Sequence, residues 1–283
     1  MNGSLLGTDN PSGVHAVPNA DNLTVGLTAS GEYFNGKIQN VNIYNVCLSE
    51  TEVQQNYEAL LPIIEPPTSG ADFTIQWFMN MNSQGAHPRV FSFGTYPAYN
   101  GVSIEGGTLY WWINNGVGLS ADLTSYLGAW HHVALVRHSG NITIYFDGVS
   151  LATSTLTSAI PTGGNNLFIG DEGTGTTGGD SYFDGLLSNF SFTNGVALYT
   201  SDFTPPTAPL TADVPYTKLL NLQSTTNLAA LLIDNSGNAN NATAYNSPTT
   251  SVSNPFGDST ISLLLDGTTQ YLVIPANTEF DIS

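Results

Sequence analysis

Acidic side chains crowd one glycine-rich stretch of the sequence, where Asp171, Glu172, Asp180 and Asp184 fall close together. Calcium takes six to eight oxygens at roughly 2.3–2.6 Å, and carboxylates with loop carbonyls are the donors it prefers. Asp also favours turns with no metal present, so the same four residues read equally as solvated turn formers. A second group is aromatic. Tyr110, Trp111 and Trp112 run consecutively, and exposed rings of this kind stack on sugars, whereas aromatics in strands commonly fill a core or pair across strands.

Catalysis asks for more than these residues offer. Glycoside hydrolysis needs two carboxyl groups about 5–10 Å apart, which on one strand face means acidic residues at i and i+2 or i+4. Asp171 and Glu172 are adjacent and so point apart in a strand. His131 and His132 are adjacent too and face opposite sides of a strand, which makes them structural rather than an acid–base or metal pair. The sequence contains no Gly-x-Ser-x-Gly elbow, phosphate loop or zinc motif. Cys47 is alone, so there is neither a disulfide framework nor a thiolate metal site. The reading is a protein without enzymatic activity.

The elements that must carry these residues are strands. Residues 130–148 form the clearest unit: Val133, Leu135 and Arg137 alternate with Ala134, Val136 and His138, a Ser-Gly-Asn turn follows, and Ile142, Ile144 and Phe146 alternate with Thr143, Tyr145 and Asp147. Two period-two runs about a short turn make a β-hairpin. Gly 29, Pro 15 and 41% hydrophobic residues in 283 fit many short strands joined by turns. The one helical signal is at 49–57, where Ser49 and Glu52 make a capping box.

Charge narrows the partners. Lys and Arg number 4 against 22 Asp and Glu, for a formal net charge of −18. Nucleic-acid binding is excluded, because phosphate neutralisation needs clustered cations, and anionic membranes are disfavoured for the same reason. No run of the sequence reaches membrane-spanning length.

An internal repeat shapes the domain plan. Residues 146–151 match 1–6, 166–170 match 22–26, and Tyr182-Phe-Asp-Gly through Phe190 matches Tyr33-Phe-Asn-Gly through Val41. Residues 1–62 thus read as the back half of a domain, 63–70 as a proline-rich linker, 71–212 as a complete unit and 213–283 as front-half strands.

Taken together, the motifs resemble the laminin G-like, concanavalin A-like jelly-roll superfamily. The residues that carry the resemblance are Asp234 to Asn238, Leu265 to Pro275, Asp72 to Trp77, Trp130 to Ala134 and Tyr182 to Phe192. The resemblance implies an all-β jelly-roll sandwich of antiparallel sheets, with a partial second copy and one short helix. It also implies that loops holding Asp234, Asn238 and Asp266 lie near cation sites, adding them to Asp171, Glu172, Asp180 and Asp184 as ligands for calcium. The order departs from the family, since opening motifs lie at the C-terminal end. Residues 213–283 therefore close onto 71–212 of the same chain, belong to a longer tandem array, or complete a neighbouring subunit.

The tandem arrangement resembles repeats in structural proteins of marine bacteriophages and other aquatic viruses. That resemblance implies a virion-surface protein (fibre, spike or capsid decoration) whose partners are other copies of itself or other virion proteins, with host-surface glycan as a further partner. The alternative is an extracellular, calcium-dependent carbohydrate-binding adhesion module, with Tyr110, Trp111 and Trp112 on the sugar. A polysaccharide-cleaving enzyme ranks third.

Overall fold

The chain divides into two units, Met1–Pro66 and Pro67–Ser283, and the fold described here is that of the second. The computed structural model describes residue 49 and residues 72–282 except 96–99, 124, 161, 163, 174–180 and 214. The proposed back half at 1–62, its helix at 49–57, Cys47 and Asp180 lie outside the described residues.

Among the described residues of this unit fifteen strands follow one another. The first five are β1 (Phe73–Met81), β2 (Arg89–Phe93), β3 (Asn100–Glu105), β4 (Thr108–Ile113) and β5 (Gly116–Asp122). Next come β6 (His131–His138), β7 (Asn141–Phe146), β8 (Val149–Thr155), β9 (Leu167–Ile169) and β10 (Asp184–Asn194). The last are β11 (Thr217–Asn221), β12 (Thr243–Tyr245), β13 (Thr249–Ser251), β14 (Ser262–Asp266) and β15 (Tyr271–Ile274). They form an eight-stranded sheet, β13-β14-β10-β1-β6-β7-β8 with β11 also beside β10, and a seven-stranded sheet, β12-β15-β9-β2-β3-β4-β5.

The hairpin anticipated from the sequence is β6–β7, with His138 opposite Asn141 and a two-residue turn. Ser139 and Gly140 both have positive φ, 49° and 78°, as a type I′ turn requires to match strand twist. Alternation then sorts the side chains. Phe73, Ile75, Trp77 and Met79 of β1 point into the sandwich with Val133, Leu135, Ile142 and Ile144. Trp77 sits at the centre, edge-on to Phe91 at 5.6 Å and stacked on Phe190 at 6.3 Å. Burying rings of this size supplies a large share of the apolar stabilisation of such a sandwich.

The C-terminal strands close the sheets of the same chain. β11 pairs with Phe190–Thr193 of β10, β14 with Asp184–Leu187 of β10, and β15 with β9. Two short helical segments accompany them. A four-residue helix, α1 (Leu228–Leu231), was not anticipated; Asn227 caps it by accepting from the Ala230 amide, and Leu231 anchors it in the core. A 3-10 turn spans Thr278–Phe280.

The two outer faces differ. Residues 196–213 run as a strap across the outside of the eight-stranded sheet. The Leu198 amide donates to Thr74 Oγ1 at 2.9 Å, the Tyr199 hydroxyl to Gln76 Oε1 at 2.8 Å, and the Leu210 amide to Asn189 Oδ1 at 2.8 Å. Tyr199 and Phe203, stacked at 3.6 Å, cover Ala134, Val136 and Tyr145. The strap lies on the other sheet from Tyr110 and Trp112, which stand on the outer face of the seven-stranded sheet.

Candidate functional site

The pleat of β4 divides the aromatic trio. Trp111 turns inward, 3% exposed, with its ring edge-on to Phe73 at 5.9 Å. It presents no face to a ligand, which corrects its place among the sugar-binding candidates; period two forces neighbours to opposite sides. Tyr110 and Trp112 turn outward, half-buried, with ring centroids 6.0 Å apart.

A polar network fixes Trp112. Its indole N–H donates to Ser103 Oγ at 2.8 Å, and that hydroxyl donates to Glu105 Oε1 at 2.6 Å. Glu105 also pairs with Arg89 at 3.3 Å and with His87 at 3.1 Å. Arg89 reaches Glu172 Oε2 at 3.2 Å, and its Cζ lies 5.7 Å from the Trp112 ring centroid. Ser103 and Glu105 stand at i and i+2 on β3, as Tyr110 and Trp112 do on β4, so all four share one face.

A second aromatic patch occupies the other end of the sheet. Tyr245 and Tyr271 are direct cross-strand partners, stacked with centroids 4.9 Å apart and planes 4° from parallel. Tyr182 lies 6.5 Å from Tyr271, and Phe168 6.3 Å from it. Tyr245 is 43% exposed. Burial and the negative charge of Asp171 raise the Tyr182 and Tyr271 phenols, keeping both as hydroxyl donors at neutral pH. Between the two patches the 171–173 loop covers Phe168, whose ring fills the space that a side chain on Gly173 would need. β12 and β4 are five strand steps apart in this sheet, roughly 24 Å at the usual strand spacing.

Among the described residues the proposed calcium ligands do not converge. Asp171 is fully buried and accepts from Ser181 Oγ at 2.7 Å, while Glu172 faces Arg89. Asp234 accepts the amides of Leu220, Ser236 and Asn240, knitting its own loop, and the Asn238 amide donates to the Thr217 carbonyl. Asp266 caps the turn at Thr268 and Thr269. Asp184 lies opposite Asp266 across the β10–β14 ladder and accepts from Asn82 and Ser83. Among the described residues no three His, Cys, Asp or Glu side chains gather as a metal site. Of the seven, Asp180 lies outside the described residues, and the other six do not gather around one point.

His131 and His132 face opposite sides, as their adjacency requires. His131 Nδ1 meets Asp147 Oδ2 at 2.7 Å. His132 is buried under the strap, with Nε2 3.0 Å from Gln76 Oε1.

The family model for the concanavalin A-like lectin/glucanases superfamily matches residues 58–199. The chain belongs to that superfamily. Solved structures with related folds include a candidate carbohydrate-binding protein from Bacteroides ovatus, at 16% identity and TM-score 0.39, covering 77% of this chain and 57% of that one. A heptameric SAP-like pentraxin from Limulus polyphemus is 20% identical with TM-score 0.36, covering 48% of this chain and 69% of its own. Mouse laminin alpha1 domains LG4-5 are 16% identical with TM-score 0.35, covering 50% and 43%. The chain spans little more than half of the Bacteroides protein. A comparison with curated proteins found no match. Among the described residues no helix is long and apolar enough to cross a membrane.

The superfamily member thus carries a face that sequence reading found only in part. Tyr110 and Trp112 were visible as an aromatic run. The Arg89–Glu105–Glu172 network and the Tyr182–Tyr245–Tyr271 patch were not, because their members come together only through strand pairing.

Proposed function

We propose that the chain is a non-catalytic carbohydrate-binding module that takes an oligosaccharide along the outer face of its seven-stranded sheet. The observation that carries this reading is the pair of outward aromatic patches, Tyr110–Trp112 and Tyr245–Tyr271–Tyr182, on the outer face of one sheet. Sugar rings stack on such faces while fixed polar groups orient them, and Glu105 and the tyrosine hydroxyls supply those groups. Glu105 and Glu172 both pair with Arg89, which commits them to holding Trp112 in place rather than to acid–base chemistry. The net charge of −18 repels polyanions, so the glycans are neutral.

The test is a glycan array probed with the full chain, with and without EDTA. Binding to neutral glycans that survives EDTA supports the reading. Binding confined to sulfated or sialylated glycans, or none at all, sinks it.

The repeated blocks at 1–41 and 146–190 favour a second reading about setting: a virion fibre, spike or capsid decoration in which this module serves attachment. Peptides of the chain in purified virus particles would support that setting, and their absence from particles of a producing virus would rule it out.

A further inference from the structure

The strap that covers the eight-stranded sheet does not lie flat on it. Between the strap and strands β1, β10 and β11 is a cavity of about 570 Å³, within the range of small-ligand sites. Its floor comes from outward positions of the sheet. Gln76 and Ser191 are direct partners across β1–β10, and Thr193 and Thr217 are partners across β10–β11. Tyr199 and Asp213 stand in the wall, with the proline-rich part of the strap between them.

The floor is polar and only partly satisfied. Gln76 and Ser191 are each 4% exposed and Thr193 1%. Gln76 Oε1 is engaged by Tyr199 and His132. Among the described residues, the Gln76 amide nitrogen and the hydroxyls of Ser191 and Thr193 have no hydrogen-bond partner, yet none is sealed away with the orphaned polar atoms of the interior. Polar groups this deeply buried cost stability unless something meets them. Their open side is the cavity.

We infer that this cavity binds one uncharged, polyhydroxylated ring of hexose size, at a site separate from the outer face of the other sheet. The floor offers an amide donor and two hydroxyls that both donate and accept, and Asp213 accepts from a ligand hydroxyl. Among the described residues no cationic side chain lines the cavity, so they offer an anionic ligand no counter-charge there. Tyr199, held by its bond to Gln76, and the proline-rich wall give the apolar face of a sugar ring a surface to lie against. The strap is pinned at both ends, by Leu198 to Thr74 and by Leu210 to Asn189, so the cavity is pre-formed and little ordering cost opposes binding.

The experiment is calorimetric titration of the full chain with glucose, galactose, mannose and N-acetylglucosamine, repeated on four variants. The inference predicts saturable binding of at least one sugar. Ser191→Val, which fills the floor, and Thr193→Val, which removes only a hydroxyl, each weaken it by about 10-fold, the loss of one well-placed hydrogen bond. Trp112→Ala and Tyr271→Ala leave it unchanged, whatever they do to oligosaccharide binding. The inference fails if none of the four sugars saturates the wild-type chain. It also fails if Thr193→Val and Ser191→Val bind as wild type, or if sugar binding follows the Trp112 variant instead.

Discussion

The guanidinium of Arg89 lies against the indole of Trp112, 5.7 Å from Cζ to the ring centroid, while its nitrogens hold Glu105 and Glu172. A buried cation therefore joins the loop at 171–173 to β3 and fixes the ring that faces outward from β4.

Arg89→Ala takes from Glu172 the cation it faces at 3.2 Å in a site where both side chains are nearly fully buried. Breaking a buried pair from one side costs about 3–5 kcal/mol, so denaturant unfolding of this variant shifts by that amount. The double variant Arg89→Met with Glu172→Leu recovers most of it.

Stability also depends on pH through His132. Burial pushes this imidazole from its usual 6.5 down to about 4, against an opposing pull from Asp147. The folded chain keeps the ring neutral where the unfolded chain protonates it. Unfolding thus takes up a proton between pH 6.5 and 4, and stability falls as pH drops through that window, by about 3 kcal/mol in total. Above pH 6.5 the group adds no pH dependence. Chemical denaturation at pH 7, 5.5 and 4 checks this, with His132→Gln expected to flatten the profile.

Gly148 is where the strap docks on the hairpin. Its φ is +79°, and a side chain there would run into the Phe203 carbonyl, while the Phe203 amide donates to the Gly148 carbonyl at 2.9 Å. Gly148→Ala lifts the strap, lowering stability by about 1–3 kcal/mol. Limited proteolysis then cuts within 196–213 faster than in the parent chain.

Arg137 is fully buried, and none of its three side-chain nitrogens has a hydrogen-bond partner. It points inward with Leu135 and Phe73 because the alternation of β6 leaves no other choice. Replacing a buried ionic group by an apolar one of similar volume is commonly neutral or stabilising by about 1–4 kcal/mol. Arg137→Met is accordingly expected to raise the unfolding midpoint.

The sequence carried the fold wherever alternation and turn chemistry sat in one local stretch. The β6–β7 hairpin, with Val133 and Leu135 inside and Ala134 and Val136 outside, could be read directly. β12 and β13, three residues each and mostly polar, left no such pattern, and neither did α1, whose single anchor is Leu231. The site was less legible. Tyr245 and Tyr271 become neighbours only when β12 pairs with β15, and Arg89 meets Glu172 only when β2 pairs with β9. Acidic residues in turns also looked like ligands, although Asp234 spends its oxygens on backbone amides of its own loop and of β11.

The most direct test of the central claim compares Trp112→Ala with Trp111→Phe in binding to whichever neutral oligosaccharide the array identifies. If the outer face of the seven-stranded sheet is the glycan site, Trp112→Ala weakens binding about 10-fold or more with its unfolding midpoint nearly intact. Trp111→Phe then loses stability but keeps its affinity. Undiminished binding by a folded Trp112→Ala together with an equally folded Tyr271→Ala would contradict the account.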